Sequence, residues 1–166
     1  KALAGAGAQG INIEDGGGTP EALAAKIAAI RAAVGPELFI NARCDVWLRG
    51  VGEAETRVAE AARRGAIYAA AGADGLFAPG LVDEAGIAQL LRATPLPLNL
   101  LAWPGLPDAR TLEALGVRRL SAGSGICGAA WGRTVSLARG FLEDGRSGPL
   151  SEGAMGWGEI NALMPA

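Results

Sequence analysis

Residues 10–16, GINIEDG, and residues 39–45, FINARCD, decide the reading of this chain. Each is a short run rich in β-branched and apolar residues that ends in charged groups: Glu14 and Asp15 in the first, Arg43 and Asp45 in the second. Such runs read as strands. Side chains alternate across a strand, so parity sorts them. Ile11 and Ile13 share one face of the first strand, and Asn12 and Glu14 share the other. In the second, Ile40, Ala42 and Cys44 face one way, while Phe39, Asn41, Arg43 and Asp45 face the other. If the apolar faces pack on helices, Asn12, Glu14, Asn41 and Arg43 point into the inside of a barrel. Four polar groups there are costly unless they bind each other, water, a metal or a substrate.

Outward from these two strands the chain alternates. Residues 2–8 read as the end of a helix and 10–14 as a strand. Residues 21–34 form a helix: Leu23, Ile27, Ile30 and Val34 recur at helical spacing behind a Thr19-Pro20-Glu21 start signal. A strand at 38–43 precedes a long Ala- and Arg-rich helix at 53–71, closed by Gly72. A strand at 75–78, a helix at 84–92, a proline-flanked strand at 96–101, a helix at 109–115 and a strand at 119–122 follow. The last long helix spans 126–143, and 144–166 is a Gly-rich tail ending in Trp157, Ile160, Leu163 and Met164. Strands alternating with helices over short connections imply parallel βαβ units. No GxGxxG fingerprint follows a first strand, which argues against a dinucleotide-binding open sheet. An eight-stranded barrel would place three further strands ahead of Lys1. The expected division is residues 1–145 as part of a barrel and 146–166 as a tail that docks on a partner subunit.

The chain holds 166 residues, half of them hydrophobic, with a formal charge of −2, which suits one globular domain with a sizeable core. Its Lys and Arg residues are scattered rather than striped, so nucleic acid is not expected as a partner. No apolar run approaches the roughly 20 residues that span a bilayer, and no membrane partner is expected. Cys44 and Cys127 lie far apart without metal-ligand spacing, as expected of reduced thiols in the cytoplasm. Histidine is absent, which removes Ser-His-Asp and Cys-His catalysis and the common zinc sites. Acid–base work would fall to Asp, Glu, Lys, Tyr, Cys or a metal-bound water.

Each candidate residue carries two readings. Arg43 is a forked clamp for a carboxylate or phosphonate, or a salt-bridge partner of Glu14 or Asp45. Glu14 holds a divalent cation through water, or pairs with Arg43. Asp15 caps or orders the Gly16-Gly17-Gly18 loop, itself read as flexible. Asn99 offers its amide to a substrate, or ties the Trp103-Pro104-Gly105 loop. Ser121 and Ser124, with Gly123 and Gly125, open the last helix where backbone N–H groups favour anions, or simply cap it. Cys44 is read as a small core residue. Arg57, Arg63 and Arg64 are read as a solvated helix face, and Trp131 and Phe141 as core or subunit contacts.

Taken in order, GINIEDG, INARCD, AGADGLFAPGL, PLNLLAWPG and LGVRRLSAGSG resemble the isocitrate lyase and phosphoenolpyruvate mutase superfamily over residues 5 to about 142. The resemblance implies a (β/α)₈ TIM barrel of which this chain covers roughly strands four to eight. It implies Mg²⁺, with Mn²⁺ as the alternative, and a 2-oxo-acid-like substrate whose C–C or C–P bond breaks through an enolate. Glu14 matches the acidic residue that ends the fourth strand and holds Mg²⁺ through water. Arg43 matches the arginine that ends the fifth strand and contacts the substrate's carboxylate or phosphoryl group. Asn99 matches a substrate-binding asparagine; Ser121 is expected as a further substrate contact from its own place where the last helix opens. Family members form homo-oligomers that exchange their last helices. The family's metal-binding aspartate pair would precede Lys1, and the segment after Asp15 reads GGGTPEAL, matching neither the Lys/Arg-Cys-Gly-His gating loop of the C–C lyases nor the loop of the C–P enzymes. The expectation is therefore a Mg²⁺-dependent lyase acting on a small 2-hydroxy or 2-oxo carboxylate, inactive if these residues stand alone. The rivals are a phosphonomutase or C–P hydrolase and a non-catalytic carboxylate-binding barrel.

Overall fold

The computed structural model describes residues 1–164. Five strands, β1 (Gly10–Glu14), β2 (Phe39–Arg43), β3 (Gly75–Phe77), β4 (Leu98–Leu101) and β5 (Arg119–Ser121), form one sheet in sequential order. All four pairings are parallel. Helices α1 (Ala2–Gly5), α2 (Pro20–Val34), α3 (Arg57–Ala70), α4 (Glu84–Ala93) and α5 (Ala109–Leu115) alternate with the strands. The chain divides into two compact units, residues 1–123 and 124–166. The second unit contains α6 (Gly125–Asp144), α7 (Gly148–Ser151) and α8 (Trp157–Ala162).

The helix signals act as their chemistry dictates. Thr19 Oγ1 accepts the Ala22 N–H at 3.2 Å and Pro20 opens α2. Asp83 accepts the Gly86 N–H at 2.7 Å ahead of α4, and Asp108 accepts that of Thr111 at 2.9 Å ahead of α5. Gly116, at φ 106°, ends α5 in the left-handed region. The expected 53–71 helix begins later, at Arg57, behind a single 3₁₀ turn at Ala54–Thr56. The Gly-rich tail contains the two short helices α7 and α8.

One face of the sheet is the core. Ile40, Ala42, Leu76, Leu98 and Leu100 from the strands pack with Leu23 and Ile27 of α2, Tyr68 of α3, Ile87 and Leu90 of α4, and Leu112 of α5. Cys44 lies in this cluster, as its parity requires. At the N-terminal ends of the strands, Asp74 Oδ2 accepts the Ile40 N–H at 2.7 Å and pairs with Arg31, whose guanidinium also donates to the Gly35, Leu38 and Gly72 carbonyls. That anchor joins α2 to β2 and β3 on the side away from the strand C-termini, where structural rather than catalytic groups gather in barrels. In the second unit, Trp131 and Phe141 are exposed and α6 has no buried residue, so of the two expected roles, core or subunit contact, core is not met within this chain. No helix among the described residues is long and apolar enough to cross a membrane.

Candidate functional site

Parallel pairing sets a polar row across the face opposite the core. Register aligns Glu14 with Arg43, Arg43 with Phe77, Phe77 with Asn99 and Asn99 with Arg119. Because these residues are paired across adjacent strands, their side chains emerge on one face. Neighbouring strands lie about 4.8 Å apart, so Arg43 and Asn99, two strands apart, are separated by roughly 10 Å along the sheet. A second, lower row begins with Asn12, Asn41 and Gly75. Asn41 Nδ2 donates to Asn12 Oδ1 at 2.7 Å, so these two amides satisfy each other. A Cβ at Gly75 would sit 2.9 Å from Asn41 Oδ1 and 3.0 Å from the Phe39 ring. Only glycine leaves the amide pair its place here. A cavity of about 370 Å³ opens at this lower level, lined in part by Gln9, Asn12, Phe39, Asn41 and Arg119. It does not reach Arg43 or Asn99.

Arg43 is the centre of the upper row. Its Nε donates to Asp45 Oδ1 at 2.6 Å and its Nη2 to Asp45 Oδ2 at 3.2 Å, a forked pair. Nη1 lies 2.7 Å from Glu14 Oε2. Both salt-bridge partners read from the sequence are therefore present, with the Arg43 side chain 30% exposed and that of Glu14 51% exposed. Burial alone would lower the Arg43 pKa. The Asp45 hydrogen bond and the charges of Asp45, Glu14 and Asp15 outweigh it and raise the guanidinium above its ordinary value. Three of the five guanidinium N–H groups are engaged by these contacts.

Asn99 is buried in the same row. Its Oδ1 accepts from Ser121 Oγ at 3.1 Å, while its Nδ2 has no hydrogen-bond partner among the described residues. Ser121 thus orients the Asn99 amide. Ser124 makes no side-chain cap bond at the start of α6.

Asp15 meets its expected role only through its main chain. Its carbonyl accepts the Gly18 N–H at 2.7 Å, with Gly16 at φ 53°, so the main chain closes the glycine turn. The side chain turns to the core instead. Asp15 Oδ1 accepts the Asp45 N–H at 2.9 Å, and Oδ2 accepts from Arg64 Nη1 at 2.7 Å and Tyr68 OH at 2.6 Å. Arg64 in turn donates from Nε to Glu60 Oε1 at 2.7 Å. The reading of Arg64 as solvated is corrected: its side chain is 8% exposed, against 51% for Arg63, which does keep to the solvated face beside Glu60. Arg57 is partly buried and donates to the Gly52 carbonyl. Burial lowers the Arg64 pKa, but the bonds to Glu60 and Asp15 raise it overall. Burial and Asp15 both raise Tyr68, so its hydroxyl stays a donor. Burial pushes the Cys44 thiol up to about 12. Sequence reasoning missed Arg64 and Tyr68, although α3 carried a signal. Ala61, Arg64, Gly65 and Tyr68 recur at helical spacing and all four are buried.

Among the described residues no three Asp, Glu, Cys or His side chains group to hold a metal ion. Asp45 is committed to Arg43, so Glu14 is the carboxylate of this row with oxygen facing solvent.

The class is an α/β fold on a five-stranded parallel sheet, with a charged and amide-bearing row at its strand C-termini. The phosphoenolpyruvate phosphomutase family model matches residues 1–142, and the chain belongs to that family. It is 41% identical over 147 residues to an uncharacterized Mycobacterium tuberculosis H37Rv protein, Rv1998c, covering 86% of this chain and 54% of that one. It is 37% identical over 131 residues to the oxaloacetate decarboxylase of Pseudomonas fluorescens SBW25, covering 78% of this chain and 41% of that enzyme. The chain thus spans about half the length of the curated relatives it matches. A Burkholderia cenocepacia J2315 protein, assigned provisionally as a lyase/mutase, superposes with a TM-score of 0.85 at 32% identity over 98% of this chain and 61% of its own. A phosphonopyruvate hydrolase solved with oxalate and Mg²⁺ gives 0.74 at 27% identity over 96% and 60%. The superfamily therefore includes both lyases and phosphonate enzymes.

Proposed function

We propose that this chain supplies the carboxylate-binding part of a Mg²⁺-dependent lyase that cleaves a C–C bond in a small 2-hydroxy or 2-oxo carboxylate. The observation that carries the reading is Arg43, a partly exposed guanidinium at a strand C-terminus, forked on Asp45 and paired with Glu14. The fork leaves Arg43 oriented before any ligand arrives, which lowers the ordering cost of binding. A substrate carboxylate would take the Nη1 edge from Glu14, whose half-exposed side chain can swing away at small cost. Asn99 Nδ2, two strands along the same row, is a buried donor without a partner among the described residues, and a substrate oxygen would satisfy it. Ser121 holds that amide in its donating orientation.

Glu14 has the hard oxygen donors that Mg²⁺ takes, commonly through water. One carboxylate does not hold the ion alone, so further ligands are required beyond this row. When bound, Mg²⁺ would stabilise negative charge that develops on the enolate oxygen. The related oxaloacetate decarboxylases favour a carboxylate substrate. A phosphonate would meet the same fork, and the phosphonopyruvate hydrolase structure keeps that alternative in view. The proposed partners are a small-molecule substrate and further copies of this chain, with α6 and the tail as the exchanged contact.

The test is Mg²⁺-dependent release of 2-oxo acids by the intact protein, from a panel of 2-hydroxy and 2-oxo dicarboxylates and phosphonopyruvate. Turnover of a carboxylate-only substrate that falls at least a hundredfold in Arg43→Ala supports the reading. Turnover of phosphonopyruvate alone would favour the alternative. Unchanged turnover in Arg43→Ala would overturn the site.

A further inference from the structure

We propose that Asp15 is a positioning residue for Arg43, acting through the main chain of Asp45 and steadied by Arg64 and Tyr68. This rests on the reading of Arg43 as the substrate clamp. Glu14 ends β1 and Asp15 follows it, yet their side chains take partners on opposite sides of the sheet. Glu14 meets Arg43 directly, at 2.7 Å. Asp15 reaches the same arginine from beneath the sheet. Its Oδ1 accepts the Asp45 N–H at 2.9 Å, and the Asp45 carboxylate forks onto Arg43.

The Asp45 main chain is thereby pinned where it leaves β2, and the fork direction follows from it. Asp45 is 1% exposed, and its own carboxylate is fully committed to Arg43. The other Asp15 oxygen is held by two donors from α3, Arg64 Nη1 and Tyr68 OH. Arg64 is anchored one turn away by Glu60. A continuous chain of hydrogen bonds thus runs from the solvated edge of α3, under the ends of β1 and β2, to the opposite face of the sheet. The Asp15 and Arg64 side chains are 0% and 8% exposed, so water cannot replace either bond cheaply. A carboxylate used only to glue α3 to the sheet would not need to spend an oxygen on the Asp45 N–H.

The experiment is two-dimensional ¹H–¹⁵N NMR of the full protein, with the Arg43 Nε–H signal assigned by its loss in Arg43→Lys. Oxalate titration in the presence of Mg²⁺ runs alongside. Two variants probe the relay, Asp15→Asn and the milder Tyr68→Phe, each first shown to retain the native circular dichroism. The expected result in Tyr68→Phe is a shifted, faster-exchanging Arg43 Nε–H and Asp45 amide, with oxalate affinity weakened roughly 2- to 10-fold, the equivalent of one net hydrogen bond. Asp15→Asn is expected to produce the larger change in both signals. If both variants lose thermal stability while the Arg43 Nε–H and Asp45 amide signals stay as in the wild type, Asp15 is a structural anchor only and the proposal falls. Should wild-type protein bind no oxalate, the substrate reading fails, and the two NMR signals still decide the relay. If Asp15→Asn does not fold, Tyr68→Phe, which leaves Arg64 on Asp15, decides alone.

Discussion

Replacing Arg64 by leucine gives the sharpest test of the buried network. The leucine keeps much of the aliphatic bulk but removes the cation that pairs with Asp15 at 2.7 Å. Breaking a buried pair from one side costs about 3–5 kcal/mol, because a charge is left buried without its partner. Asp15 keeps the Tyr68 hydroxyl and the Asp45 N–H, at 2.6 Å and 2.9 Å, so the lower end, about 3 kcal/mol, is expected. For a chain of this size that is a fall in Tm of roughly 6–12 °C. Urea denaturation of the wild type, Arg64→Leu, Asp15→Asn and the double variant completes a cycle whose coupling energy should exceed about 1 kcal/mol. A loss below about 1 kcal/mol in Arg64→Leu, with no coupling, is what a solvated arginine gives. That result would refute the network.

Three further outcomes are expected. Glu60 is lowered to about 2, foremost by its hydrogen bond to Arg63, with burial opposing and Arg64 assisting. A depressed carboxylate stabilises the fold fully above its unfolded value near 4.5 and loses that contribution as pH falls through 2. Stability measured by urea between pH 4.5 and 2 should therefore fall less steeply in Glu60→Gln than in the wild type, and parallel curves would contradict the assignment. In a Cys127→Ser background, which removes the exposed thiol, the buried Cys44 thiol, raised to about 12, should stay silent to a thiol reagent at pH 8 until urea unfolds the protein; rapid labelling of that variant in the native state would contradict its burial. Asn99→Ala removes a donor that has no partner among the described residues, so it should weaken oxalate binding about tenfold while costing less stability than a well-bonded buried asparagine would. Unchanged oxalate affinity would remove Asn99 from the site.

The two decisive strands were legible because each has a clean two-residue period. Ile11, Ile13, Ile40, Ala42 and Cys44 fall on the core face as parity requires, and Glu14 and Arg43 meet on the other. Motif order carried the family, which the match over residues 1–142 bears out. What parity could not give was the partner of a side chain far away in sequence. Arg64 lies 49 residues from Asp15, and an arginine on an Ala- and Arg-rich helix ordinarily faces water. Its place beside Ala61 and Gly65, small enough to bring α3 close to the sheet, was the available clue. Asp15 orders the glycine turn through its carbonyl, as expected, but the place of its side chain was hidden for a related reason. A residue between a strand and a glycine turn has local uses for its carboxylate, and only the position of α3 shows that the core claims it.

The central claim is that Arg43 is a pre-oriented anion clamp. Its most direct test is calorimetric titration of oxalate, with and without Mg²⁺, into the intact wild-type protein and Arg43→Ala. The account predicts Mg²⁺-dependent binding to the wild type that weakens by about 2 kcal/mol or more, some thirtyfold, when the forked guanidinium is lost. Equal affinity in the two proteins would contradict it and leave Arg43 as a salt-bridge partner of Glu14 and Asp45.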